Sequence, residues 1–327
     1  MKNMKRKFTV LALTVMMVLS MTACKGDAGV NETGNTPEPT ATTTAADATK
    51  QSTTDSDAAD LKDDAATTAS DAEIPENPEK IISVAPNITE MLYEMGAGDK
   101  LVARTDYCDY PEECLELESI GSLYSPDIEK MISLEPDLVV ASTHFKEDTE
   151  AKLEEAGIPV LVLYEETAFE GVHDMIETLG DTVNCETEAA RMVDEMKTKI
   201  EATTAKVEGL EKPTVYYVVS FGEGGEYTAT GETFIHQMIT MAGGDNIAKD
   251  STGWSYSLEA LLEADPYIIL IDEDSKESFM ENETYQNLTA VKEGRVYGID
   301  GNLLDRQGYR NAEAIEVMAK IFYPEAF

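Results

Sequence analysis

The chain has 327 residues, with 64 acidic and 25 basic side chains and a formal charge of −39. That surplus of carboxylates excludes a nucleic-acid partner, because phosphate binding needs clustered Lys and Arg and nothing basic is clustered beyond residue 7. Four cysteines are too few for a disulfide scaffold, so packing must hold the fold.

Lys2, Lys5, Arg6 and Lys7 precede an apolar run of 12 residues, 8–19, too short to span a bilayer as a mature helix. This pattern is an export signal. It ends in Met21-Thr22-Ala23-Cys24, which resembles a bacterial lipobox. The resemblance implies a signal peptide over 1–24 and a diacylated Cys24 at the mature N-terminus. Two acyl chains, at about 0.8 kcal/mol per buried methylene, would anchor the protein on the outer face of the cell membrane. Residues 25–78 are rich in Thr, Ala, Asp and Ser and carry 12 acids against 3 lysines. With almost no large apolar side chains this stretch cannot bury enough surface to fold, and it reads as a tether. A flexible chain of that length spans about 40 Å or more. Its Thr-rich composition permits glycosylation.

An N-terminal lobe is expected over 79–184. Lys80 to Ala85 reads as a buried strand, and Pro86 turns the chain into a helix that reaches Gly96. A second strand, Leu101 to Ala103, leads into a loop carrying Tyr107, Cys108, Tyr110 and Cys114. After a short helix and strand come Ser142 to Phe145, a helix to Gly157 and a strand at Val160 to Leu163. In α/β sheets ligands gather beyond the C-terminal ends of the strands, which places Asn87, Asp106, Tyr107, His144 and Phe145 on one rim.

The longest helical stretch, Glu186 to Leu210, has no Gly or Pro before Gly209 and is expected to join the lobes as an interlobe helix over 185–210. The C-terminal lobe, 211–327, opens on a strand from Thr214 to Ser220. Glu226 to Thr230, a helix from Phe234 to Ala242, a helix and strand, Arg295 to Ile299 and a closing helix from Asn311 to Phe322 follow.

Two stretches 130 residues apart reveal the plan. SPDIEKMISLEPDLVV (Ser125 to Val140) and SYSLEALLEADPYIIL (Ser255 to Leu270) share Ser125/Ser255, Glu129/Glu259 and Pro136/Pro266 without a gap. Ile128, Met131 and Ile132, like Leu258, Leu261 and Leu262, have the spacing of a short helix on a core. Each copy then breaks at proline and ends in a buried strand. Upstream, MGAGDKLVA (from Met95) echoes MAGGDNIAK (from Met241) at an offset of 146, so the first copy carries an insertion of 16 residues between Leu101 and Tyr124. A period above 100 residues is too long for a solenoid. The fold class is therefore α/β, with two Rossmann-like lobes, each around a mostly parallel sheet, joined by one long helix. The groove between lobes is the natural ligand position.

The two repeats, the single linking helix, the lipobox and the closing Pro324-Glu325-Ala326-Phe327 together resemble the extracytoplasmic substrate-binding proteins of ABC importers for corrinoids, ferric siderophores and haem. The likeness covers Lys80 to Phe327, and within it TDYCDYP (from Thr105) and GWSYSLE (from Gly253) look most like the cobalamin-binding branch. The resemblance implies a monomer that works with a permease and an ATPase and binds a small molecule, a cobalamin-like corrinoid or else a ferric chelate or haem. It implies no catalysis and no cofactor of the protein's own. It also implies that Glu129 and Glu259, one per lobe, dock into arginine pockets of the permease, and a symmetric permease does need one matching charge per lobe.

For the ligand, the resemblance points to aromatics where the lobes face each other: Tyr107, Tyr124, Phe145 and Trp254, with Asn87 beside them. Flat apolar side chains offer contact area at little entropic cost. Leu123 stands where relatives often have an aromatic residue or arginine, and Tyr309 where they often have proline. Arginine is scarce, six in all, yet Arg306 and Arg310 share the loop before the last helix. There they can receive a phosphate or carboxylate, or pair with neighbouring acids. A bare metal site is not expected from three histidines, His144, His173 and His236. Cys108 and Cys114 can bridge or remain free, and Cys185 has no evident partner. No Ser-His-Asp neighbourhood, nucleophile elbow or paired acid site stands out, and the Gly222 to Gly225 turn has no helix start tying it to phosphate.

Overall fold

The computed structural model describes residues 68–69, 73–163 and 168–327. The export signal, Cys24 and most of the tether lie outside these residues.

Two separate sheets organise the chain. The first contains β1 (Thr68–Ala69), β2 (Ile81–Ser83), β3 (Leu101–Arg104), β4 (Glu118–Ser119), β7 (Leu138–Ala141) and β8 (Val160–Val162), in the order β1-β8-β7-β2-β3-β4. Between β4 and β7 a hairpin of β5 (Gly121–Ser122) and β6 (Ser125–Pro126) stands apart. The second sheet contains β9 (Thr214–Val218), β10 (Asp245–Asn246), β11 (Ile268–Asp272) and β12 (Val296–Ile299), in the order β10-β9-β11-β12. Within the two sheets every pairing is parallel except that of β1, which runs antiparallel to β8 with Thr68 opposite Val162. Thr68 and Ala69 belong to the stretch read as a tether. Their backbone covers the otherwise open edge of β8, a gain that side-chain composition does not reveal.

The duplication is written into the topology. The order β8-β7-β2-β3 in one sheet matches β12-β11-β9-β10 in the other, and Ile81 pairs with Leu138 as Val215 pairs with Ile268. The helices are α1 (Pro86–Glu94), α2 (Ile128–Ser133), α3 (Glu147–Glu155), α4 (Glu170–Val183), α5 (Glu186–Val207), α6 (Phe234–Met241), α7 (Leu258–Ala264), α8 (Glu273–Glu281), α9 (Thr289–Lys292), α10 (Asn302–Asp305) and α11 (Asn311–Phe322). Of these, α2 and α7 are the repeated pair. Each starts at a side-chain cap in the same repeat position: the Asp127 carboxylate accepts from Lys130 N at 3.0 Å, and the Ser257 hydroxyl accepts from Ala260 N at 3.1 Å. Each ends alike as well. The residue before the shared proline is barred from the right-handed helical region, and Glu135 and Asp265 take φ +50° and +40°.

The linking helix α5 has 22 residues, about 33 Å at 1.5 Å per residue. It stops short of the expected Leu210 because Glu208 leaves the helical region and Gly209 turns the chain at φ +78°. A second helix, α4, lies against it. Asn184, at φ +59°, reverses the chain between the two, and a Cβ at Gly180 would collide with Ala189.

Alternate residues of each strand feed different layers. Ile81, Leu138, Val215 and Leu270 join one apolar layer with residues of α1, α4, α5, α6 and α11, including Met192, Met196 and Phe322. That layer runs through both halves. Ile82, Val139 and Met131 form a second cluster on the opposite face of the first sheet, and Tyr216, Ile269 and Phe279 a third on the second sheet. Burial on both faces explains the continuous apolar runs of these strands. No described helix is long and apolar enough to cross a membrane.

Candidate functional site

The insertion in the first half builds a rim. After β3, Asp106 N donates to Gly121 O at 2.9 Å, and Ser119 Oγ donates to the Asp106 carboxylate, which fixes the loop against the β5–β6 hairpin. Arg104 ties the same loop down by donating to the carbonyls of Cys114 and Thr105, both at 2.8 Å. Tyr107 and Tyr124 therefore meet edge to face, with ring centroids 5.8 Å apart, and His144, from the loop after β7, lies 5.5 Å from Tyr124. Tyr107 and Tyr124 are 46% and 48% exposed, open aromatic surface rather than core. Desolvation by the surrounding protein pushes the His144 pKa below its ordinary value, so the imidazole is neutral at neutral pH.

The second half presents its own aromatic. Trp254, at φ +61° and 39% exposed, follows Gly253 and is pinned when Thr228 N donates to its carbonyl at 2.9 Å. Tyr227 stands beside it on the bridge to Ser255 and is also exposed. Sequence reading missed Tyr227, which carries no signal apart from lying in the Glu226 to Thr230 segment.

Other expected ligand residues are placed differently. Leu123 and Phe145 pack, partly buried, against the second apolar cluster. Asn87 is 6% exposed, and its amide donates to Ser142 Oγ at 3.2 Å and to Gln307 O at 3.0 Å, a strut between halves. Arg306 and Arg310 correspond to the second of their two readings: both pair with acids. Arg306 donates to Glu90 at 2.6 Å, to Asp109 at 2.7 Å and to Tyr107 O at 3.3 Å. Arg310 donates to Glu90 at 3.4 Å and Asp300 at 3.5 Å, with its guanidinium 4.2 Å from the Tyr110 ring centroid. Burial raises the Glu90 pKa, and the two guanidiniums oppose that rise. Glu90 and Asp109 were missed. The signal was present in helix spacing, since Glu90 follows Asn87 by three residues and so shares its face of α1, and two scarce arginines lie four residues apart.

Tyr309 does not join the rim; its hydroxyl donates to Glu195 of α5 at 2.6 Å. With Arg310, Lys199 and Glu316 it lines a groove of about 530 Å³ between α5 and α11, which none of the other expected ligand residues touches. Glu129 and Glu259 lie in the first turns of α2 and α7, exposed and without a cationic partner among the described residues. Cys108, Cys114 and Cys185 are free thiols. Cys108 and Cys114 are buried, and burial pushes the Cys114 pKa up to about 11. No cluster of three or more potential metal ligands occurs among the described residues.

Two duplicated α/β halves on one long helix, with open aromatic side chains on each half, define a two-lobed substrate-binding protein. Residues 81–303 match the periplasmic binding protein family, and the chain belongs to it. It is 33% identical over 265 residues to the uncharacterized ABC transporter substrate-binding lipoprotein YvrC of Bacillus subtilis, covering 79% of this chain and 84% of that one. The vitamin B12-binding protein of Vibrio campbellii is 29% identical, over 77% of this chain and 93% of its own. Among solved structures, the periplasmic vitamin B12 binding protein BtuF of Vibrio cholerae is similar at a TM-score of 0.67 and 27% identity, covering 76% of this chain and 98% of that one. The periplasmic heme-binding protein RhuT from Roseiflexus sp. RS-1, at 23% identity, shares the fold with a TM-score of 0.69 over 76% of this chain and 99% of that one.

Proposed function

We propose that the protein captures a cobalamin-like corrinoid between its lobes and delivers it to an ABC permease and its ATPase. It acts as a monomer held outside the cell membrane by a lipidated Cys24, and it performs no chemistry on the ligand. The observation that carries this reading is the pair Tyr124 and Trp254, exposed aromatics at the same position of the two repeats. Two flat apolar surfaces, one per half, suit a wide and rigid macrocycle. The relatives named as vitamin B12-binding proteins support the same ligand class. Glu129 and Glu259, exposed and repeat-equivalent, are the matched charges for the permease. Titrating the purified protein with cyanocobalamin, followed by absorption spectra and calorimetry, tests the proposal, and absence of heat and of spectral change refutes it.

A second reading, haem or another iron chelate, is favoured by His144. Its neutral imidazole stands in the aromatic rim and has a ring nitrogen suited to iron.

A further inference from the structure

We infer that the junction beneath the aromatic rim is a charge filter, so the ligand carries no net negative charge. This rests on the proposal that the rim is the ligand site. The filter is the group of Glu90, Asp109 and Asp300 around Arg306 and Arg310. Binding proteins can receive ligand carboxylates or phosphates on unpaired guanidiniums. Here each of the five arginines among the described residues is already engaged by protein acceptors: Arg104 by carbonyls, Arg191 by Glu94 and Glu195, Arg295 by Glu293 and Tyr267 O, and the two junction arginines by acids.

Three carboxylates face two guanidiniums at the junction, which leaves it net negative. The group adjoins the rim directly, because the Arg306 guanidinium that holds Glu90 and Asp109 also donates to the carbonyl of Tyr107. Asp109 is exposed, its side chain 54% accessible beside a 13% accessible Arg306, and so is Asp300, 47% accessible beside Arg310. An anionic ligand approaching the rim therefore meets Asp109 before it can reach the guanidinium. To take that guanidinium it must break a pair with Glu90, whose side chain is only 9% accessible, and strand a buried charge. The rim itself, Tyr107, Tyr124 and neutral His144, offers no charge in return, and neither does Trp254 on the other half. Lys146, beyond His144, is followed by Glu147, Asp148 and Glu150 in the first turn of α3. An uncharged or cationic ligand escapes all of these costs. The filter thus separates the two readings above, favouring a neutral corrinoid over haem with its two propionates.

Two matched pairs of probes test this on the purified full-length protein: cyanocobalamin, which is neutral, against dianionic haem, and a neutral ferric trihydroxamate against a trianionic ferric tris-catecholate. The expected result is that any neutral member that binds does so at least about tenfold more tightly than its anionic partner. The double variant D109N/D300N, which leaves two guanidiniums facing Glu90 alone, should narrow that preference by about tenfold, while E293Q, far from the rim, should not move it. D109N alone, at an exposed position, supplies the same direction of change if the double variant folds poorly. Equal affinity for the neutral and anionic members, or a preference indifferent to D109N and D109N/D300N, overturns the filter and leaves the importer role standing. Binding of the neutral hydroxamate without the corrinoid overturns the corrinoid assignment and leaves the filter standing. Binding of none of the four overturns both.

Discussion

Tyr124 and Trp254 occupy one position of a duplicated unit, 130 residues apart, and each is the exposed aromatic immediately before a repeated serine and a capped helix. The relationship is more than a coincidence of composition, because this is the only tryptophan in the chain. The same backbone frame thus presents a flat side chain twice, once per half. Replacing either by alanine should weaken ligand binding by about 1–3 kcal/mol, the range of an aromatic anchor at an interface. Because neither side chain is core, thermal stability should change little. Calorimetric titration of the single and double variants measures the first effect and thermal melting the second. Undiminished affinity in the double variant would remove these residues from the site.

Charge reversal at Glu129 and Glu259 together should abolish uptake in cells while leaving ligand affinity of the isolated protein intact. Both side chains are exposed and unpaired among the described residues, so nothing internal depends on their sign. Each single reversal should leave partial uptake, since the other half still registers on its side of the permease. A loss of affinity in the isolated double variant would place these carboxylates in the fold or the ligand site.

The shared caps give a stability test of the duplication. Asp127→Ala and Ser257→Ala each remove the acceptor for a helix N-terminal amide and should each cost about 1 kcal/mol. The caps are on separate halves, so the double variant should cost the sum within about 0.5 kcal/mol. Denaturant melts of the three variants measure this, and a cost confined to one half would break the equivalence.

Much of this was legible in the sequence because a duplication is self-checking: residues that recur at a fixed offset, such as Pro136 and Pro266, mark elements without any knowledge of the fold. The strands were legible for a similar reason, since burial on both faces leaves unbroken apolar runs such as Leu138 to Val140. Side-chain direction was not. Phe145 and Leu123 look as exposed in sequence as Tyr124 does, yet they turn toward the second apolar cluster, a choice made by tertiary packing. The destiny of Arg306 and Arg310 was equally hidden, because their partners Glu90 and Asp109 lie about 200 residues away in the chain. The pairing of Thr68 and Ala69 with β8 depends on an open edge that only the folded sheet supplies.

Asp305 should make stability depend on pH in mildly acidic solution. Its carboxylate accepts from the buried Tyr217 hydroxyl at 3.1 Å, and burial together with Asp272 and Asp300 pushes its pKa from 3.8 up to about 6. Between those values the folded chain keeps a proton that the unfolded chain has released, so stability falls as pH rises through the window. Allowing for solvent screening at a residue whose surface is exposed, the loss should be about 1 kcal/mol. Denaturant melts across this window should show the decline, and D305N should flatten it. A D305N protein with an unchanged pH profile would assign the decline to other groups.

Ligand binding should close the lobes only slightly. The helix α5 links the halves as one element, one apolar layer runs through both, and Asn87 and Glu90 of the first half are tied to Gln307, Arg306 and Arg310 of the second. Bending about this junction would expose packed side chains and separate a buried ion pair, unlike a hinge made of a few loop residues. Solution scattering with and without ligand should therefore give radii of gyration within about 1 Å of each other, for a body of this size near 18 Å. Arg306→Ala should loosen the unliganded state and enlarge the difference. A large compaction of the unmodified protein on binding would mean that the Glu90–Arg306 pair opens in the free protein and that the lobes are not held by their shared layer.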